Sequence, residues 1–565
     1  MSTKIPPSLK AYADTAGGPE RRYADLHEHV IELARRGLLY VIDEPINKDT
    51  EMHPLVRWQY RGGIAESERK AFLFTRPTDS KGRAVDSAVL VAGLAGSPEV
   101  YRVGFGAPLE EISERWIKAI DHPIEPRIVD NAPCQEVVSI GADLDAPGQG
   151  LDRLPVPIST PGWDNAPYLS AGHYISKDPD CARQNMGNYR GQLKAPRRLG
   201  MNPSVELGAG IYGHWLKYKE RGEPMPCAVV VGCPPVVSYA SVQKMPRHLD
   251  ELAVAGGLAA GPINVVRAKT IDLVVPAEAE FVIEGHIDTE RLEPEAPFGE
   301  SHGYVNLAEY NAFMDVTAIT HRRRPIVTSF ISQIAPSESS VMRKVAMEPV
   351  YLNHLRSNMN IAGVKQVAMH EPLTNLYAVI AVQFERGVAQ TEVWRALYGT
   401  ATMHRFAGKW VIGVDEDIDP RNADALLWAM SYRCQPQHDM KVLEGKDPGH
   451  GPRGPLDDGE SASVVIDARL KRDCAPVALP KQAFMERARA IWERLGLPPL
   501  KPESPWHGYD LGVWPEQLAR QAEKAARSEY FELSDELIGA RRADARMNEP
   551  VVYAGPGPGP DEGGS

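Results

Sequence analysis

The sequence predicts a mixed α/β protein built as an N-terminal domain, a connecting helix and a C-terminal domain. Three observations carry that expectation. The chain has 565 residues, beyond the ~250–300 at which a single hydrophobic core stops growing, so it must divide. Short β-branched and aromatic runs recur through its first half between helical stripes. After a helical stretch near residue 340, apolar runs alternate with helical patterns, the order of an α/β layer.

Taken in order, residues 23–36 place Leu26, Val30, Ile31 and Leu33 on one helical stripe, Gly37 stops it, and residues 38–42 read as a strand. Residues 87–161, punctuated by Pro133, Pro147, Pro155, Pro157 and Pro161, read as loops and short strands. Residues 228–231, 263–266, 281–287 and 326–331 read as further strands. Pro336 and Ser337 give a helix start signal, and Val341, Val345, Leu352 and Leu355 follow at helical spacing, which predicts a linker helix over 336–358. Beyond it the strand-like runs 363–367, 378–382 and 410–414 alternate with helical 391–397 and 423–429, a partly parallel α/β domain. Residues 444–459, rich in Gly, Pro and Asp, read as a loop. Residues 515–527 read as a helix, and the Gly-Pro alternation at 555–560 as a disordered end. The expected divisions are 1–335, 336–358, 359–510 and a tail over 511–565.

Composition removes several function classes. Hydrophobic residues at 43% and charged residues at 24% suit a soluble globular chain. A formal net charge of −12 weighs against a nucleic-acid partner, whose phosphates call for Lys and Arg. The one basic cluster, His321 to Arg324, reads as a solvated turn between strands. Six cysteines with no CxxC pair predict neither a disulfide framework nor a zinc-thiolate site. With no apolar leader after Met1 and no run of ~18 apolar residues, no membrane span and a cytoplasmic location are expected.

The densest cluster of polar signals spans residues 292–304. Glu295 and Glu300 lie five apart, separated by Pro297 and Gly299, which keep the segment out of a helix and allow an irregular loop. Such a loop can aim both carboxylates at one place. Buried beside each other or beside an Arg, their pKa values split, and one can hold a proton near neutrality. A proton donor to a carbanion needs that property. The residues alone name no reaction.

Glu295-Ala296-Pro297-Phe298-Gly299-Glu300, followed by Gly303-Tyr304, resembles the E-G-P-F-G-E/D motif of the UbiD family of prenylated-FMN-dependent decarboxylases, with Ala296 where Gly is usual. Asn185 to Arg190 is similar to that family's N-x-x-x-x-R segment, and residues 130–136, 154–157 and 409–420 extend the resemblance over nearly the whole folded chain. The resemblance implies Arg190, Glu295 and Glu300 as the catalytic network, with Glu300 the proton donor. It implies Asn188, Tyr189, Arg190 and Lys409 as flavin contacts, Lys409 offering a compact charge to the phosphate. It also implies a divalent metal (Mn, Fe(II) or Mg) held by Asn, His and Glu, with potassium nearby. Asn185 and Glu251 fall where the Asn and Glu belong, and Glu206 falls where His is usual, a departure that adds a hard oxygen ligand. His302 is a candidate proton relay, whereas His173 and His214 read as structural.

The fold so implied is an N-terminal cofactor domain with a split β-barrel core, a linker helix, and a C-terminal α/β domain that drives assembly of a homo-oligomer, dimer or hexamer. The site would lie between the domains, with hinge motion there. The activity so implied is reversible non-oxidative decarboxylation of an aromatic or α,β-unsaturated acid, including an aromatic acyl-CoA such as phthaloyl-CoA, with prenylated FMN supplied by a separate flavin prenyltransferase. Two other classes compete: a non-catalytic or accessory subunit of a multi-subunit aromatic carboxylase, against which the intact Arg190, Glu295 and Glu300 argue, and a plain flavin-binding protein.

Overall fold

Asp25 starts the first long helix. Its carboxylate accepts the Glu28 amide while the Glu28 side chain accepts the Asp25 N–H, a reciprocal cap at the head of α1 (Leu26–Arg35). The computed structural model describes residues 9–13, 21–181, 183–205, 209–243, 245, 248–295, 297–370, 378–404, 408–447, 460–470, 476–503, 506, 514–529, 531, 538–539, 541–547 and 549–551. Leu26, Val30 and Leu33 of α1 bury against a four-stranded sheet. In it β1 (Leu39–Ile42) runs parallel to β2 (Ala71–Phe74), β2 antiparallel to β3 (Ala88–Val91), and β3 parallel to Ile326–Ser329, returning from far along the chain.

The segment expected as loops and short strands over 87–161 also holds two helices, α2 (Pro98–Phe105) and α3 (Ile112–Asp121). Ser97 caps α2 by accepting the Val100 amide, Pro98 takes the first helical position, and Gly106 ends the helix at φ 71°. Pro costs nothing there because the first N–H of a helix has no partner in any case. Pro98 and Gly106 are thus the start and the stop of one helix. The basic cluster lies between strands as expected, with Arg323 and Arg324 exposed, but Arg322 is buried, 4% exposed at its side chain, and pairs with Glu280 and Asp25.

A larger sheet follows. A bent hairpin sets β4 (Tyr168–Leu169) and β5 (Gly172–Lys177) against β6 (Gln184–Asn188) and β7 (Gly191–Ala195). Asn188 of β6 faces His173 of β5, and Gly191 of β7 faces Leu169 of β4. On its other edge β7 pairs with β8 (Arg198–Met201), while β5 pairs with β9 (Met225–Val231). Next to β9 lies β10 (Phe281–Ile287), then β11 (Glu309–His321), which returns to β8. Tyr189 and Arg190 occupy the junction where the strand passes from one neighbour to the next. The Glu295 segment is less irregular than expected: Glu293–Glu295 pairs with the start of β11, and Phe298–Gly299 pairs with Val305–Asn306.

Ser337 and Ser340 cap one another at the head of a helix over Glu338–Asn353, which continues as a π turn over His354–Asn358. Val341 and Met342 belong to the N-terminal core, and Met347, Tyr351 and Leu355 to the C-terminal one, so this single rod is bonded into both. The C-terminal sheet has β12 (Val364–Met369) antiparallel to β13 (Val379–Phe384), which is parallel to β14 (Trp410–Asp415). Its far side is β15 (Met440–Lys446), antiparallel to β16 (Ser461–Asp467), which is parallel to β14. The loop expected from residue 444 therefore begins inside a strand, and 448–459 lie outside the described residues, as does the 555–560 end. Beyond the sheet, helices Gln482–Arg494 and Glu516–Ala526 have no buried residue. Among the described residues no helix is long and apolar enough to cross a membrane.

Candidate active site

Arg190 reaches from the β6–β7 junction to both carboxylates of the 295–300 segment. Its Nε donates to Glu295 Oε1 at 2.8 Å and its Nη2 to Glu295 Oε2 at 2.6 Å, while Nη1 donates to Glu300 Oε1. The Arg190 and Glu295 side chains are 8% and 0% exposed. Asn311 Nδ2 gives Glu295 a further bond at 3.2 Å, and the guanidinium lies 5.4 Å from the centre of the Phe298 ring. Burial works against the Arg190 charge, but the hydrogen bonds and charges of Glu295 and Glu300 outweigh it and hold its pKa above the ordinary guanidinium value. A bidentate fork of this kind fixes position as well as charge.

The loop that carries these carboxylates is held from outside. Asp164 Oδ1 accepts the Gly299 amide at 2.8 Å and Oδ2 accepts the Thr160 amide at 2.7 Å. Burial raises the Asp164 pKa against those bonds. Gly299 is required by close approach, since a Cβ there would lie 2.1 Å from Thr160 Oγ1. Neither Asp164 nor Asn311 stood out in the sequence. The turn-like Pro161-Gly162-Trp163-Asp164 was the one local sign of the first, and Asn311 sits in an unremarkable strand.

Beside this network is a cavity of about 770 Å³ lined by Asn185, Asn188, Tyr189, Glu251, Phe330 and Arg343, among others. Organic ligands occupy cavities of ~300–1,000 Å³. Asn185 Nδ2 donates to Glu251 Oε1 and the Met186 amide to Glu251 Oε2, both at 2.9 Å. Asn185 Oδ1 and Asn188 Oδ1 are buried without a hydrogen-bond partner. Burial pushes the Glu251 carboxyl up to about 7 despite the bonds from Met186 and Asn185. Gly210 makes the room: a Cβ there would lie 2.0 Å from Asn185 Oδ1. A carboxylate beside an orphaned amide oxygen is the donor set that hard divalent cations prefer, so these residues fit a metal bound at the cavity wall.

The sequence-predicted residues thus fall into distinct places. Arg190, Glu295 and Glu300 meet, and Asn185, Asn188, Tyr189 and Glu251 line one cavity whose lining does not include Arg190. Glu206 lies outside the described residues, and among the described residues no three His, Cys, Asp or Glu side chains converge on a metal-sized point. Lys409 is exposed at the head of β14, donates to Ser461 Oγ at 2.8 Å and is not in the cavity lining. His302 Nε2 bonds Asn306 Oδ1 at 3.2 Å. His173 bonds Ser238 and Ser241, and His214 bonds Ser176.

An Arg–Glu–Glu network next in the chain to residues that line a ligand-sized cavity, on two α/β domains sharing one rod, belongs to a carboxy-lyase of the UbiD class. The 3-octaprenyl-4-hydroxybenzoate carboxy-lyase Rift-related domain matches residues 127–334 and the corresponding C-terminal domain matches 340–468, and the chain belongs to the UbiD family. Among solved structures, the UbiD-class enzyme HmfF from Pelotomaculum thermopropionicum in complex with FMN is 28% identical with a TM-score of 0.70, covering 82% of this chain and 99% of that one. Vanillic acid decarboxylase of Sedimentibacter hydroxybenzoicus, at 24% identity and TM-score 0.68, covers 84% and 99%. The 3,4-dihydroxybenzoic acid decarboxylase AroY of Klebsiella pneumoniae, at 23% and 0.69, covers 82% and 99%. These last two share the fold.

Proposed function

We propose that this protein is a reversible, non-oxidative decarboxylase that acts on an aromatic or α,β-unsaturated carboxylic acid with prenylated FMN as its cofactor. The observation that carries this reading is the bridge from Arg190 to Glu295 and Glu300 beside the cavity walled by Asn185 and Glu251. An evolved dimeric form of HmfF is described in complex with prenylated FMN, which supports both the cofactor and a homo-oligomeric state. Prenylated FMN, when bound, supplies the sink for the electrons left behind as CO2 departs.

The chain's own residues do the rest. Arg190 holds Glu295 in a fork, so Glu295 is the fixed counter-ion. Glu300, held by one guanidinium nitrogen, is the carboxyl that delivers a proton to the substrate carbon. Asn185 and Glu251, with Glu206 as the third ligand of this reading, would hold a divalent metal, Mn, Fe(II) or Mg, whose charge, with potassium, would offset that of the flavin phosphate. Asn188 and Tyr189 would contact the flavin, and Lys409 would add its charge to the phosphate on inward hinge motion of the C-terminal domain.

The division at 335 and 358 makes the first part the catalytic domain, 359–510 the assembly domain and 511–565 a tail. The ring of pairings from β5 through β9, β10, β11 and β8 back to the β6–β7 strand is read as the split barrel. Within the substrate class, an aromatic acyl-CoA such as phthaloyl-CoA is tested alongside free acids.

Mass spectrometry of the cofactor released from protein co-expressed with a flavin prenyltransferase, followed by CO2 release over a panel of aromatic acids and their CoA thioesters, tests this reading. Prenylated flavin with turnover is the expected result. Plain flavin or none, after anaerobic reconstitution, overturns it in favour of an accessory subunit.

A further inference from the structure

His173, on β5, is buried with a serine at each ring nitrogen. Its Nε2 lies 2.9 Å from Ser238 Oγ and its Nδ1 lies 2.8 Å from Ser241 Oγ, both serines belonging to the helix Pro235–Val242. Ser241 Oγ is also 2.8 Å from the Ser238 carbonyl oxygen. Burial pushes the imidazole down to about 3, so the ring is neutral and carries one N–H.

The contacts settle which atom donates to which. A carbonyl only accepts, so the Ser241 hydroxyl donates to the Ser238 carbonyl. Ser241 then has no proton left for His173, and Nδ1–H donates to Ser241 Oγ. Nε2 is bare in that tautomer and accepts the Ser238 hydroxyl proton. The opposite tautomer draws the Ser241 proton away from the carbonyl and turns Ser238 from donor to acceptor. A buried network with every contact made is favoured over one that is partly made.

Ser241 lines the cavity of about 770 Å³, whereas His173 and Ser238 stand behind it. With its proton spent on the helix, Ser241 has only an oxygen lone pair to offer a ligand. Asn188, which faces His173 across the sheet and also lines the cavity, has the same character. Its Nδ2 donates to the Ser170 carbonyl at 3.1 Å, and its Oδ1 has no partner. This stretch of wall disfavours phosphate and carbonyl oxygens and suits a hydroxyl or an imide N–H.

We infer that His173 is a positioning residue for the cofactor: by donating Nδ1–H to Ser241 it keeps that hydroxyl an acceptor towards the cavity, where it takes an N–H or O–H donor of the flavin. This rests on the proposed flavin reading of the cavity and names the group that orients the flavin within it. Without His173 the Ser241 hydroxyl is free to rotate and offer its proton instead, and the selection is lost.

The test is titration of FMN, followed by flavin fluorescence, into the flavin-free full chain and its Ser241→Ala, His173→Phe, Ser241→Ala/His173→Phe, His173→Asn and His173→Gln variants. Ser241→Ala and His173→Phe should each weaken FMN by about tenfold, and the double variant by no more than either alone, because His173 acts through Ser241. His173→Asn places an amide N–H where Nδ1 stood and recovers most of the affinity. His173→Gln, whose amide reaches the place of Nε2, does not. Magic-angle-spinning NMR of protein with isotope-labelled histidine should show His173 protonated at Nδ1, its signals identified by their loss in His173→Asn. Should the His173 variants fold poorly, Ser241→Ala and the wild-type NMR spectrum decide. A ring protonated at Nε2, a Ser241→Ala variant that binds FMN like the wild type, or losses that add in the double variant overturn the positioning role and leave the decarboxylase reading standing. A loss that vanishes when potassium is replaced by choline assigns the Ser241 lone pair to the cation and overturns the flavin contact. A wild type that binds no FMN overturns the flavin reading and this contact with it.

Discussion

Arg190 gives Glu295 two hydrogen bonds, from Nε and Nη2, and gives Glu300 one, from Nη1. The asymmetry separates two carboxylates that are equivalent in the sequence. Glu300→Gln keeps the shape and a hydrogen-bonding group but removes the transferable proton, so turnover falls by about 10²–10⁴ with flavin retained. Glu295→Gln instead leaves a buried guanidinium short of its main counter-charge, and stability falls by about 3 kcal/mol. Steady-state rates, flavin absorbance and urea midpoints distinguish the two. Full turnover in the Glu300 variant removes it from the proton-donor role.

Gly210 has no side chain and carries no charge, yet it leaves the room that the Asn185 amide occupies at the cavity wall. A methyl group there would sit 2.0 Å from Asn185 Oδ1, so the amide must turn away from Glu251. Gly210→Ala, at the first position of its helix, should lower metal affinity by about tenfold or more with helix content unchanged. Metal per protomer by mass spectrometry, before and after chelation, checks this. Unchanged metal content removes Asn185 from the ligand set.

The parts of the site legible in the sequence are those where several polar groups fall together in one short segment. Asn185 to Arg190 and Glu295 to Glu300 each place several polar groups in one short segment, and the structure joins the segments through one arginine. Asp164 and Asn311 act on that network across 135 and 16 residues of chain, and nothing local marks them. Arg322 shows the same limit with opposite sign. In a run of four basic residues that reads as solvated, Arg323 and Arg324 are exposed, whereas the fold supplies Glu280 and Asp25 as buried partners for Arg322 alone. The helix Pro98–Phe105 is missed for another reason, because proline, which breaks a helix in its middle, is well suited to beginning one.

Asp164 holds the Gly299 and Thr160 amides together, and through Gly299 it sets the place of Glu300. Asp164→Ala leaves two N–H groups without their acceptor, at about 1–3 kcal/mol each. The expected outcome is a fall in turnover of tenfold or more with flavin retained and faster amide exchange at Gly299. Asp164→Asn, which keeps one acceptor oxygen, should recover part of both. Unchanged exchange at Gly299 in the Ala variant removes Asp164 from this positioning role.

Glu338, at the head of the helix bonded into both cores, is fully buried and accepts the amides of Leu94, Ala95 and Ile331 at 2.9, 3.2 and 3.3 Å. Burial raises its pKa to about 7, while those bonds pull the other way. A folded-state pKa above the unfolded value of 4.5 means that the folded chain holds the extra proton, so its contribution to stability is complete below about pH 4.5. It is lost as pH rises through about 7, by at most ~3 kcal/mol. His29, His53 and His173, pushed down by burial to about 4, 3 and 3, act in the opposite sense below their ordinary value of 6.5 and mask this in the wild type alone. Glu338→Gln removes only the first effect. The urea stability of the wild type minus that of the variant should therefore decline between about pH 5 and pH 8. A difference flat in pH would mean that the three amides outweigh burial and keep Glu338 ionised throughout.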